Sequence, residues 1–291
     1  MKTKMWLMGC VTFLLMGICM AQEKTFKEEV KQNIPIQNVS ESRVLVRNIY
    51  GSVTVEAYSG SEVVVEATKE IWAKTASKLE QGKTELQLKS YLVDDTVVIR
   101  PDSPFITWDD EKLEYQWCNN NNSPKYSHNL DIRVKVPSKI NVDVSAINHG
   151  EVLVKNTRGG FLKVENINGG ITLENVAGTT EVNCINGQVD ISYAENPSED
   201  STYYSLNGDI NVTYQSSLSA NVSFTSMHGE LYTDFDVEKQ FTRTEKEKDS
   251  KGKSRYKFKA QPIVQIGTGA VDFNFETLNG NVYIKKILKM K

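Results

Sequence analysis

Asp109, Asp110 and Glu111 set three carboxylates in a row, and paired carboxylates are what glycoside hydrolysis requires. They sit in a stretch that reads as loop, where a solvated charge run is the simpler account. The chain holds three histidines, His128, His149 and His228. His149 and His228 each precede a glycine, and a turn role suffices there because histidine tolerates positive φ better than most residues. Cys184 shares strand parity with Val182 and Thr180, which directs it to a core face, whereas Cys118 precedes four asparagines in a loop. These read as a buried thiol and a loop thiol. No Gly-x-Ser-x-Gly elbow occurs in the sequence. These residues support no assignment of a catalytic group, a metal or a cofactor. The chemistry that stands out is aromatic. Phe105, Trp108, Tyr115, Trp117 and Tyr126 lie among Asp, Asn and Ser, a composition suited to stacking on sugar rings or anchoring a protein partner. Trp108, Tyr115, Trp117 and Tyr126 are the candidate binding residues. Folding back as a cap over an open end of the domain is the competing use of the same side chains, with Trp117 read as cap and Trp108 as surface.

The elements that must position these residues are announced by a repeat. "NINGGITLENVAGTTEVNCINGQVDI", Asn166 to Ile191, carries two Asn-Gly pairs, each opening an alternating apolar run. Related corners recur at Gly150, Gly159, Gly169, Gly178, Gly187, Gly208, Gly229 and Gly280. An antiparallel meander would not need one dipeptide at one point of every unit. A constant period instead indicates a solenoid, in which each unit buries its apolar face against its neighbours. The expected fold is all-β, a parallel β-helix or β-solenoid with rungs of about 20 residues. Asn168–Gly169, Asn186–Gly187, Asn207–Gly208 and Asn279–Gly280 are its structural corners. Asn148, Asn168, Asn186, Asn207 and Asn279 are expected to stack at one corner at the usual inter-strand spacing, with Gly187 and Gly208 at positive φ. Calcium-binding solenoids need regular aspartates in these turns, and here the turns mostly lack them.

Before the repeat, Arg43 to Thr68 alternates as three short strands, and Tyr91 to Arg100 and Leu130 to Val136 read as further strands. Lys69 to Gln81 is helix-like in composition. Two stretches interrupt the pattern. Residues 101–129 form the aromatic, asparagine-rich insertion, and residues 236–259 form a charged segment expected to be a hairpin arm.

The run from Leu130 to Ile191, with Val136-Pro137 followed by Asn-Gly repeats, and the later Gly267-Thr-Gly269 and Asn279-Gly280, resembles a bacterial family of unknown function known as the putative adhesins. The resemblance extends from about Val39 to Ile287. It implies a right-handed parallel solenoid on an exported protein, and strand and loop rather than helix at 69–81. The long aromatic insertion and the charged arm depart from the family pattern.

The first twenty-one residues carry Lys2 and Lys4, an apolar stretch and a small-residue site at Cys19-Met20-Ala21, the pattern of a secretory signal peptide. The expected organisation is a signal peptide over 1–21, a leader segment over 22–38 and one solenoid domain over 39–291. Loss of Lys2 and Lys4 takes the formal charge from −3 to −5. That balance disfavours nucleic acid, which is bound through a basic surface, and no membrane-length apolar segment remains after cleavage. The function expected is non-catalytic binding or scaffolding in the periplasm or at the cell surface, with a glycan or an envelope protein as partner. The alternative from another class is a carbohydrate-active β-helix enzyme, a polysaccharide lyase or hydrolase, which would require carboxylates converging in a groove.

Overall fold

The computed structural model describes residues 23–116, 123–248 and 254–287; residues 1–21, read as a signal peptide, and Trp117 and Cys118 lie outside the described residues. Short alternating runs place every second side chain inside, and these runs build two long sheets that face each other across one core. In the first sheet the central parallel strands are Val53–Tyr58, Val152–Lys155, Ile171–Val176, Val189–Tyr193, Ile210–Tyr214 and Val282–Lys286. In the second they are Arg43–Tyr50, Asn141–Asn148, Phe161–Asn166, Thr179–Cys184, Ser201–Ser205 and Val271–Thr277. Val142 pairs with Leu162, Val164 with Val182, Val182 with Tyr203 and Tyr203 with Phe275. The result is a continuous stack of inward side chains, almost all fully buried.

Rung order departs from sequence order at both ends. The rung made by Arg43–Tyr50 and Val53–Tyr58 is flanked on its outer side by later strands, Thr96–Asp102 in one sheet and Ser127–Pro137 in the other. At the far end, Ala220–Ser226 and Leu231–Thr233 form the outermost parallel rung, and the later rung of Val271–Thr277 and Val282–Lys286 slots in between them and the body. The repeat therefore does not resume beyond Gly229 in space but before it. Antiparallel strands then extend the sheets. Lys24–Pro35 pairs with Glu62–Ala73, and Glu62–Ala73 with Ser127–Pro137. Val237–Lys248 pairs with Ser254–Ile266, which pairs in turn with Ala220–Ser226.

Two sequence expectations are corrected here. Tyr91 to Arg100 is not one strand: Gln87–Val93 and Thr96–Asp102 form a hairpin that turns at Asp94, a non-glycine residue with φ 49°. Of the stretch 69–81 read as strand and loop, 69–73 is the end of the strand Glu62–Ala73, but a helix, Ala76–Glu85, takes the rest. Thr75 caps its start by accepting the Lys78 N–H at 3.3 Å, and the buried Lys69 donates to the Lys83 and Leu86 carbonyls at its end, each at 3.3 Å, while pairing with Glu28 at 2.7 Å. Only Leu79 and Gly82 of the helix are buried, so its amphipathic signal in the sequence is faint.

Each corner carries two ladders. On the outside, Asn168 donates to Asn148, Asn186 to Asn168, Asn207 to Asn186 and Asn279 to Asn207, all at 2.9–3.0 Å. On the inside, polar residues facing the core satisfy the corner carbonyls. Asn166 donates to Gly150 and Gly170, the Cys184 thiol lies 3.3–3.4 Å from the Gly169 and Gly187 oxygens, and Thr277 donates to Gly280. Burial pushes the Cys184 thiol up to about 11, so it stays protonated at neutral pH.

The corner glycines are needed for a reason other than the expected one. Gly187 and Gly208 do not have positive φ; among the described residues the glycines that do are Gly51, Gly178, Gly267 and Gly269. A Cβ at Gly208 would instead lie 2.0 Å from the Gly187 oxygen, and one at Gly187 would lie 2.3 Å from that of Gly169. Backbone stacks on backbone at these points and leaves no room for a side chain.

Inside the later rungs three fully buried tyrosines share their hydroxyls. Tyr203 lies at the centre, 2.8 Å from the Tyr193 hydroxyl and 3.0 Å from that of Tyr214. Tyr193 stacks on Tyr214, Tyr214 on Phe273 and Tyr203 on Phe275. Burial raises all three phenols far above their ordinary range.

Two stability measurements test this packing. Gly208→Ala should cost about 1–3 kcal/mol in denaturant unfolding through overpacking against backbone, whereas Gly160→Ala, whose Cβ would meet only Asn141 Oδ1 at 3.7 Å, should be nearly silent. Equal effects at the two sites would contradict the stacking account. Tyr203→Phe removes the shared partner of two buried hydroxyls and should cost roughly 1–3 kcal/mol; an unchanged melting temperature would show that the hydroxyl network contributes little.

Candidate functional site

The outer Asn ladder changes character at its first rung. Tyr50 pairs in register with Asn148, so an aromatic ring stands where later rungs carry Asn. The same substitution is visible as Ile49-Tyr50-Gly51 against Ile167-Asn168-Gly169 and Ile185-Asn186-Gly187. One additional residue, His149, enters the neighbouring corner at φ 59° and lays its imidazole parallel to the Tyr50 ring, centroids 6.0 Å apart. On the other side His128 meets Tyr50 edge-on at 5.1 Å. Burial lowers the His128 pKa, so this ring is neutral at pH 7.

These rings form one wall of a cleft of about 420 Å³, completed by Trp72, Tyr126 and the polar side chains of Ser127 and Asn129. That volume lies within the range of about 300–1,000 Å³ usual for ligand sites. A narrower apolar recess of about 240 Å³ adjoins it, sharing Tyr50 and His128 and walled by Phe105, Ile106 and Tyr115 of the insertion. A third recess of about 310 Å³ shares Trp72, Tyr126 and Ser127 with the cleft and is lined by Lys74, Lys78 and Lys125. Three parts of the chain thus converge: the first-rung corner, the end of strand Glu62–Ala73 and the segment that enters strand Ser127–Pro137.

The insertion residues singled out in the sequence divide. Thr107–Asp109 and Glu114–Gln116 form a short hairpin that rests on the outer face of the second sheet. Trp108 lies over the Arg100 guanidinium at 4.6 Å and meets Tyr115 edge-on at 5.1 Å. Its indole nitrogen is buried while the residue as a whole is half-buried, so Trp108 packs onto the sheet and keeps only part of its ring at the surface. Tyr115 donates to the Arg47 carbonyl at 3.2 Å, and burial raises its phenol; one side of it still lines the recess. Tyr126 is 6% exposed and packs with Ile71, Ala73 and Leu79, so it shapes the cleft as part of its floor. Trp117 lies outside the described residues.

The acidic run serves the same hairpin. Asp109 accepts the backbone N–H groups of Glu111 and Lys112 and the Gln116 amide, and these bonds hold its carboxyl below the usual range. Among the described residues no three His, Cys, Asp or Glu side chains gather as a metal site would require. A second aromatic surface lies at the other end, where exposed Tyr232 stacks on Tyr283 at 5.2 Å.

Tyr50, Trp72, Lys74 and Lys78 were not singled out in the sequence, because each reads there as an ordinary strand or surface residue. The Tyr-for-Asn exchange at a repeated corner was the signal that could have found the first of them.

Comparison with solved structures finds a cell adhesion protein of Clostridium sporogenes, described as putative, at 10% identity, covering 90% of this chain and 100% of that one with a TM-score of 0.42. A putative adhesin of Bacteroides fragilis aligns at 10% identity over 89% of this chain and 97% of that one, TM-score 0.29. A putative lipid binding protein of Parabacteroides distasonis aligns at 12% identity over 89% and 97%, TM-score 0.24. No curated protein matches the chain. Residues 126–266, the stretch that carries most of the rungs, match the family model described as Toastrack DUF4097.

Proposed function

We propose that this chain is an exported, non-catalytic β-solenoid of the adhesin type, right-handed like the family it resembles, that binds or scaffolds within the cell envelope. In this reading residues 1–21 are a leader that is removed. The remainder is one solenoid unit, with the strand Lys24–Pro35 added to its sheet and with the hairpin insertion and the charged arm as its departures from the repeat.

One observation carries the binding role. Tyr50, His128, His149 and Trp72 converge from distant parts of the chain on a cleft at the first-rung corner, where Tyr50 stands in place of the ladder Asn. An exposed aromatic at that position contributes nothing to the ladder, and four rings around one cleft are the composition of a recognition surface. Binding is favoured over turnover by the use made of the acids. Asp109 is engaged by the hairpin turn, and the buried Asp143 pairs with Arg47 at 2.7 Å and Arg43 at 3.5 Å, which leaves these carboxylates committed to structure.

Tyr50→Ala should leave the melting temperature nearly unchanged and abolish retention of the purified protein on envelope fractions or on a glycan array. Trp108→Ala should do the reverse, lowering stability by about 1–3 kcal/mol through loss of a half-buried ring that covers Arg100, while the folded fraction keeps its partner. Full retention by Tyr50→Ala would remove the cleft as the binding site. Export has its own test: mass spectrometry of the native protein should place its N-terminus at Gln22, and a full-length chain in the cytoplasm would contradict it.

A further inference from the structure

We propose that the cleft takes an anionic saccharide, its ring against the aromatic wall and its carboxylate or sulfate over Lys74, Lys78 and Lys125. This inference rests on the binding reading above and assigns the ligand class to that site.

The argument is one of adjacency. The aromatic cleft and the lysine-lined recess share Trp72, Tyr126 and Ser127, so a ligand lying across Trp72 reaches both. Aromatic rings offer a broad apolar face of the kind that covers the C–H face of a pyranose. Ser127, Asn129 and His149 line the same cleft and can exchange hydrogen bonds with ring hydroxyls. The cations lie on one side only. Lys74 and Lys125 are exposed, and among the described residues no carboxylate forms an ion pair with either of them or with Lys78. By contrast Lys27, Lys31 and Lys69, on the neighbouring strands, are each paired with a glutamate. The helix Ala76–Glu85 starts between Lys74 and Lys78 with no acid in its first turn, and the positive end of its dipole adds to the same field. Only Glu23 opposes it within the recess.

A ligand matching this arrangement has an apolar-faced ring with charge at one edge, as a uronic acid or a sulfated sugar has. A nucleic-acid strand would also stack and pair with lysine, but it needs a basic groove that follows its backbone. The three lysines here line one local recess at the edge of a cleft rather than a continuous groove, on a chain of net charge −3.

The test is calorimetric titration of the full mature chain with tetragalacturonate, its methyl ester, a heparin tetrasaccharide and an oligothymidylate, each against wild type and Lys74→Gln/Lys78→Gln/Lys125→Gln. At least one acidic saccharide should bind, and should lose on the order of tenfold in affinity in the triple variant, equivalent to about 1.4 kcal/mol over three exposed ion pairs. The methyl ester should bind wild type as weakly as tetragalacturonate binds the variant, if the galacturonate is the one recognised. The melting temperature should not change. Equal binding by wild type and triple variant would overturn the charge assignment and leave the aromatic binding site standing. So would absence of any saccharide binding while envelope retention still depends on Tyr50. Oligothymidylate binding as tight as the acidic saccharide would overturn the inference in favour of a general polyanion site. If no probe binds and retention is indifferent to Tyr50, both this inference and the binding function fall.

Discussion

The whole coil depends on backbone approaching backbone at one corner. Parallel strands stack at about 4.8 Å, and the chain must change direction without widening that spacing. Glycine permits it, because the carbonyl of one corner then occupies the space where the next corner's Cβ would be. That close stacking leaves carbonyl oxygens at the rim of a dry core, where an unpaired acceptor is costly. The inner polar residues, Asn48, Asn166, Cys184 and Thr277, answer this need, each within hydrogen-bond reach of a corner oxygen. The outer asparagines then align of necessity, and their amides, each both donor and acceptor, close the ladder. Three residue preferences at one corner follow from a single steric condition.

A repeat of this kind is unusually legible. Each corner states the same requirement, so Asn-Gly recurs and the alternating runs follow it. The positions of Asn148, Asn168, Asn186, Asn207 and Asn279 in one ladder can be inferred from spacing alone. The cause assigned to glycine from sequence was wrong, since a turn needing positive φ and a stack with no room for Cβ select the same residue. Rung order at the ends was also hidden. Inserting Val271–Thr277 between Ser201–Ser205 and Ala220–Ser226 leaves no local mark, because every rung presents the same pattern to either neighbour. The helix Ala76–Glu85 is half legible: composition marks 69–81 as helix-like, but a helix that buries so little leaves a periodicity too weak to outweigh the strand and loop that the resemblance implies.

The cleft was the least legible part. Its walls come from Tyr50, Trp72, Tyr126 to Asn129 and His149, which only the folded coil brings together. Attention to aromatic density pointed to the insertion, and the insertion does border the site through Phe105 and Tyr115. Its most conspicuous residue, Trp108, is engaged in covering Arg100. Density of aromatics in a sequence measures how much apolar surface must be covered as well as how much is offered, and composition alone does not separate the two.

Self-complementarity confines where such a coil can evolve a site. A residue on a central rung must suit its own counterpart above and below, and that holds the corner to Asn, Gly and small polar side chains. At the ends one neighbour is missing or replaced by an unrelated strand, and the condition lapses. Tyr50 for Asn, the additional His149 and the approach of His128 all occur on the first rungs, beside the strand Ser127–Pro137 that breaks sequence order. The stacked pair of Tyr232 and Tyr283 stands at the opposite end, on rungs that also break it. The central rungs supply length and rigidity. Chemical individuality gathers at the ends because only there can a side chain differ from its neighbours without cost to the stack.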